Sequence, residues 1–225
     1  MSRSKAVARK LADDDIASRV GAPAWTAMAS DLSMQGCFTT GSLLTEAECT
    51  ALSGSYSQDK PFRSRVVMAR HGFGRGEYKY FAYPLPDLIQ QLRTALYPRL
   101  ADIANRWNEA MGIAIRFPQS HEDFLERCHK AGQPRPTPLL LQYGPGDYNC
   151  LHQDLYGEHV FPLQATGLLS GPGTDFSGGE SGPTGPRQRQ PARAEGGPTQ
   201  PGGGDDRPGP HPPAAGPERQ QPRQA

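Results

Sequence analysis

Between Ser181 and Ala225 the chain contains no Val, Ile, Leu, Met, Phe, Tyr, Trp or Cys. Such a segment cannot bury enough apolar surface to offset chain entropy, so a disordered tail is expected over 181–225. The switch after Glu180 to Gly, Pro, Arg, Gln and Ala is abrupt. It is the composition of GC-rich coding DNA read in a wrong frame, and out-of-frame translation is the expectation for this tail. Other shortages bound the rest. No apolar run reaches membrane length, so no membrane partner is expected. The basic start, Met1 to Lys5, leads into no apolar h-region. The four cysteines, Cys37, Cys49, Cys128 and Cys150, form no C-x-x-C pair. That argues against a zinc knuckle or a thioredoxin-like site, and leaves reduced thiols in a cytoplasmic protein as the default. The net charge is +1, so bulk electrostatics favour neither nucleic acid nor membrane. Gly72, Gly74 and Gly76 lack the spacing of a dinucleotide fingerprint.

What is present reads as scaffold first. Residues 7–35 are helical in pattern, with Trp25, Met28, Ala29 and Leu32 on one face and Gly36 as the stop. Cys37 to Thr40 is a candidate short strand. Thr45 and Glu48 form a capping box that opens a helix to about Tyr56. A long helix is expected from Asp87 to Gly112, kinked or broken at Pro98, with Trp107 in the core. Ile113 to Phe117 alternates like a strand. His121 to Lys130 reads as a short surface helix rather than a metal site, because His121 and Glu122 fall on different faces.

Two stretches carry chemistry. The first runs from Phe62 to Tyr83, two strand-like segments around a glycine-rich connection. Arg63, Arg65, Arg70, Arg75 and Lys79 interleave there with Phe73, Tyr78, Tyr80, Phe81 and Tyr83. Cations with flat rings suit phosphates and stacked bases; the competing reading is a solvated hairpin with ordinary aromatic packing. Arg70, Arg75, Tyr78 and Tyr80 are the substrate candidates.

The second is Leu139-Leu140-Leu141-Gln142-Tyr143-Gly144-Pro145-Gly146-Asp147-Tyr148-Asn149-Cys150-Leu151-His152-Gln153-Asp154. An apolar central strand enters a Gly-Pro-Gly turn. His152 and Asp154 sit two apart, so on a strand they face one way. One imidazole and one carboxylate supply two thirds of a facial triad, the ligand set that suits non-haem Fe(II). After it, Val160 to Ser170 reads as another buried strand and Gly171-Pro172-Gly173 as a turn.

With its Tyr-Gly-Pro-Gly lead-in and His-Gln-Asp, this stretch resembles the 2-oxoglutarate, Fe(II)-dependent dioxygenases of AlkB type. "RHGFGRGEYKYF", "RPTPLLLQY" and "GDYNCLHQDLYGEHVFPLQ" are similar to a bacterial AlkB-like, prolyl-hydroxylase-like branch linked to oxidative demethylation of damaged DNA. The resemblance covers about residues 20–180. It implies an α+β fold: an incomplete double-stranded β-helix, or jelly-roll, with N-terminal packing helices and a helix outside the sheet. The organisation it implies is 1–115 for the helices and basic-aromatic hairpin, 116–180 for the start of the jelly-roll core, and 181–225 for the tail. It makes His152 and Asp154 metal ligands and Tyr143 a hydroxyl donor to the 2-oxoglutarate carboxylate. The AlkB-type Asn two residues before that Tyr is Leu141 here. The cofactors implied are Fe(II) and 2-oxoglutarate, with O2 as co-substrate, and the partner is damaged DNA or RNA. A distal His and a following cation for 2-oxoglutarate have no strand-borne match. His211 stands among Pro208, Pro210, Pro212 and Pro213, and Arg219 and Arg223 follow no strand pattern. The chain is therefore expected to be impaired as an enzyme. The alternatives are a prolyl-hydroxylase-like enzyme acting on a peptide or amino acid, a non-catalytic jelly-roll protein, and a cupin-like metal protein. The oligomeric state stays open.

Overall fold

The computed structural model describes residues 14–150 and 159–177, which belong to one compact unit. Asp15 caps the first helix, α1 (Ile16–Gly21), by accepting from the Ser18 amide at 2.7 Å. Pro23 follows, and α2 (Trp25–Gln35) starts two residues later. The single helical run expected over 7–35 is thus two helices within the described residues, parted where proline withholds an amide. Gly36 closes α2 at φ 79°, in the left-handed region. No strand forms over 37–40. Instead Phe38 packs edge-on against Trp25, with ring centroids 5.8 Å apart.

The capping box is present. Thr45 and Glu48 bond each other's amides at the start of α3 (Glu46–Gly54), and a 3-10 turn extends it to Ser57. Next come β1 (Phe62–Val67), β2 (Gly74–Arg75) and β3 (Glu77–Phe81). Helix α4 (Asp87–Ala110) then runs 24 residues, continuous through Pro98. The expected break is absent. Tyr97, Ala101, Ala104 and Asn108 form one buried stripe, so tertiary packing holds the turn that proline weakens. Trp107 is not core: it is half-buried, and its indole N–H donates to Ser33 Oγ at 3.0 Å, tying α4 to α2.

Residues 113–117 are not a strand either. The Asn105 side chain brackets Phe117, accepting from its amide at 2.7 Å and donating to its carbonyl at 2.9 Å. Asn108 donates to the Ile115 carbonyl at 2.9 Å. Helix side chains thus take the backbone bonds that a sheet partner would have taken. Ser120 caps α5 (His121–Lys130). His121 is buried, 7% exposed, against the Tyr97 ring at 5.4 Å, so the expected surface helix keeps its first residue inside.

Strand β4 (Leu139–Gln142) pairs antiparallel with β3, and β5 (Tyr148–Asn149) with β2. The sheets are therefore β1-β3-β4 and β2-β5. Leu139 to Gln142, expected in the centre, forms an edge among the described residues, and Glu77–Phe81 takes the middle. No strand forms over 160–170. There Phe161 and Leu163 pack on the cluster of Tyr97, Ala101, Ala104 and Phe117, joined by Phe124. Gly173, at φ 81°, makes the expected turn, its amide bonded to the Phe176 carbonyl at 2.8 Å. The described strands close no barrel among themselves. No described helix is long and apolar enough to cross a membrane. The tail expected over 181–225 lies outside the described residues.

Candidate active site on the three-stranded sheet

Side chains alternate across a strand, so β3 divides the hairpin's residues between two faces. Glu77, Lys79 and Phe81 point one way. Lys79 is buried, and its ammonium donates to the Tyr56 carbonyl at 2.9 Å and the Gln58 carbonyl at 3.3 Å, with Asp59 Oδ1 at 3.3 Å. It also lies 5.0 Å from the Tyr56 ring centroid. Arg65 stands directly across from Lys79, a like-charge pair. Glu77 relieves it by pairing with Arg65 while accepting from the Tyr56 hydroxyl at 3.1 Å. The Arg65 guanidinium accordingly holds the Glu77 carboxyl below its ordinary range. Burial pushes the Tyr56 phenol up, and Glu77 adds to that. Phe62 stacks on Phe81 at 4.8 Å. This face anchors the hairpin, and Arg65 and Lys79 are spent there.

The other face is the candidate site. Tyr78 and Tyr80 lie edge to face, 5.5 Å between centroids. Val66 and Ser64 flank them on β1, and Leu141 and Leu139 on β4. A bulge between Phe62 and Ser64 breaks the alternation of β1. The extra residue, Arg63, swings its guanidinium over the Tyr80 ring at 4.3 Å and donates to the Pro136 carbonyl at 3.3 Å. Continuing β4 by its own alternation puts Tyr143 on this same face, across from Gly76. A Cβ on Gly76 would meet Tyr143 Cδ1 at 2.8 Å, so the glycine makes the seat for that ring. Leu141 and Tyr143 remain 43% and 44% exposed. The Tyr143 hydroxyl has no hydrogen bond to any described residue. Burial, then the Asp147 charge, raises its pKa.

The four substrate candidates therefore separate. Tyr78 and Tyr80 share the sheet face. Arg75 lies on the β2-β5 ribbon directly across from Tyr148, and Arg70 is exposed at the end of the turn after β1. Arg63 and Tyr148 are not among the substrate candidates, although Arg63 is one of the interleaved cations. Alternation alone would have turned Arg63 away from Tyr80, because a bulge leaves no mark in the residue pattern. Tyr148 stood in the motif as spacing between the turn and the His. His152 and Asp154 lie outside the described residues. Among the described residues no three of His, Cys, Asp and Glu cluster as metal donors. Tyr143 stands directly after β4, ahead of the Gly144-Pro145-Gly146 turn.

Comparison with known proteins bears on this arrangement. A family described as "Oxygenase, catalysing oxidative methylation of damaged DNA" matches residues 76–206, a range that begins at the glycine under Tyr143 and includes His152 and Asp154. Two proteins from strains of Mycobacterium tuberculosis, each titled only as an uncharacterized protein, are 52% identical to the chain over 100 residues. That alignment takes in 44% of this chain and 43% of each relative, so the chain spans less than half the length of the curated relatives it matches. No solved structure matches. Since the family match covers more than half of the 225 residues, the chain belongs to the Oxygenase-NA family, whose description is that of oxygenases acting on damaged DNA.

Proposed function

We propose that this chain is of the Fe(II)- and 2-oxoglutarate-dependent oxygenase lineage, with the open face of an incomplete jelly-roll sheet as its reaction surface and a damaged nucleobase as its substrate. The observation that supports it most is the single face shared by Tyr78, Tyr80, Arg63 and Tyr143. A flat base finds rings and a guanidinium there, and the neighbouring strand β4 ends just before Tyr143, in the same sequence motif as His152 and Asp154. Histidine and aspartate are donors of the kind Fe(II) takes, and Tyr143 offers a hydroxyl to a carboxylate. With those ligands the metal would supply oxidation of a substrate C–H bond, coupled to decarboxylation of 2-oxoglutarate.

The chain's own residues orient and shield. Tyr143, seated on Gly76, would hold 2-oxoglutarate by its hydroxyl, while Leu141 and Leu139 keep the neighbouring surface apolar. Tyr78 and Tyr80 would hold the base by its face, and Arg63 would sit against it as a fixed cation. Lys79 and Glu77 keep the strand in register from behind. With two donors in the motif and no strand-borne distal His in the sequence pattern, metal affinity and turnover are expected to be low. The four free thiols suit a reducing, cytoplasmic setting. The test is 2-oxoglutarate binding in the presence of Fe(II) under anaerobic conditions. Tyr143→Phe should weaken it about tenfold to a hundredfold, the loss of one hydrogen bond to a charged group. His152→Ala should abolish it. Equal binding by both variants and the parent would contradict the assignment.

A further inference from the structure

The two-stranded ribbon is a separate surface from the sheet face. Arg75 pairs with Tyr148 and Gly74 with Asn149, and the Cys150 amide donates to the Phe73 carbonyl at 2.8 Å. Arg75 and Tyr148, directly across from each other, share one side of this ribbon, and Phe73 leads into it, its carbonyl bonded to β5's end. Phe73 and Tyr148 are 43% and 55% exposed, unusually bare for rings on a hydrogen-bonded strand pair. His71 stacks on Phe73 with centroids 5.4 Å apart and 23° between planes. Arg70 and Arg75 are exposed and belong to no ion pair among the described residues. The nearby acid, Asp147, has its carboxylate on the Gly144 amide at 2.8 Å. The position of the rings is enforced by the backbone. Gly74 has φ 121°, and a Cβ there would fall 2.2 Å from the Tyr148 carbonyl oxygen. Only glycine lets β5 come this close, and that closeness sets Tyr148 beside Arg75.

We infer that the ribbon carrying His71, Phe73, Arg75 and Tyr148, with Arg70 beside it, is a docking surface for unpaired nucleic acid flanking the base to be processed. The inference rests on the proposed nucleobase substrate and adds where the neighbouring strand lies. Exposed ring faces can stack only on bases whose own faces are open, as in a single strand, whereas a duplex offers phosphates and groove edges. Two exposed arginines, in no ion pair among the described residues, complement the phosphates between those bases. A peptide would gain little from that pairing of cations with open rings.

The experiment is fluorescence anisotropy with a labelled oligothymidylate of about ten nucleotides, a span typical of single-strand sites. A duplex of the same length and a heparin fragment serve as comparators. The full chain should bind the single strand more tightly than the duplex. Phe73→Ala and Tyr148→Ala should each weaken single-strand binding about tenfold, with the salt dependence unchanged. Tyr148→Phe, which keeps the ring, should bind like the parent. Arg75→Gln should reduce the slope of log K against log salt by about 0.7, the value for one single-strand phosphate contact. Circular dichroism confirms that each variant is folded. If the parent binds the oligonucleotide but folded Phe73→Ala and Tyr148→Ala bind equally well, the ribbon is overturned and the nucleobase substrate stands. Equal binding of heparin and single strand likewise overturns it, leaving only a polyanion surface. If the parent binds no oligonucleotide at all, both inferences fail together.

Discussion

Arg19 and Glu48 show how much one pair of side chains decides. Arg19 is buried in α1 and donates to both carboxylate oxygens of Glu48 at 2.7 Å, while the same carboxylate completes the α3 capping box. Arg19, and then the Thr45 amide, hold the Glu48 carboxyl down to about 2 against burial, which acts to raise it. A depressed carboxyl stabilises the fold above its unfolded pKa and loses that contribution as pH falls through the folded one. Stability from this group should therefore drain away between about pH 4.5 and pH 2. Glu48→Gln should cost about 2–3 kcal/mol at neutral pH, because a buried guanidinium loses its counter-charge. Urea titration at pH 7 and pH 3 measures both, and the variant should show less loss between them. His121 works at milder acidity. Burial, then the Arg93 charge, lowers its pKa to about 4. Below the ordinary value of 6.5 the unfolded chain takes a proton that the folded chain refuses, so stability falls as pH drops from about 6.5 to 4. The loss should be about 3 kcal/mol, and His121→Phe should flatten that window in thermal melts taken from pH 7 to pH 4.

Elements were legible where a local signal sufficed. The capping box at Thr45, the stop at Gly36, the helix from Asp87 and the strand from Leu139 could all be read from residue type and spacing. Ile113 to Phe117 and Val160 to Ser170 have strand-like patterns but no strand partner among the described residues. Asn105, Asn108 and the aromatic cluster take them instead, and pairing partners are a tertiary fact that no local pattern carries. Trp107 misled for a related reason. Its position fits the helical stripe, yet its N–H needs an acceptor, and Ser33 supplies one near the surface. The glycines between β1 and β3 make a test at this scale. Gly74→Ala meets backbone at 2.2 Å and should cost about 2–3 kcal/mol, releasing β5. Gly72→Ala, at φ 70° in open space, should cost only about 1 kcal/mol. Hydrogen exchange at the Cys150 amide, bonded to Phe73, separates the two: it should accelerate strongly only in Gly74→Ala.

At the scale of the molecule, the hairpin is the organising part. One of its faces is anchored by Lys79, Glu77 and Phe81, which frees the other face for Tyr78, Tyr80 and Arg63, and its far end forms the ribbon with Tyr148. The motif residues of the sequence thus divide into an anchor, a proposed reaction face and a proposed docking ribbon, a division that interleaved charge and aromaticity could not reveal. The family match extends from that hairpin across His152 and Asp154. On the proposed reading, those two residues and Tyr143 would hold the iron and 2-oxoglutarate of an oxygenase for damaged bases. The most direct test is succinate release from 2-oxoglutarate with Fe(II) and O2, with a methylated single-stranded oligonucleotide or a proline-containing peptide as prime substrate. The account predicts slow succinate release, raised by the oligonucleotide and not by the peptide, and absent in His152→Ala. Succinate no higher than in His152→Ala would contradict it, and stimulation by the peptide alone would move the substrate to protein.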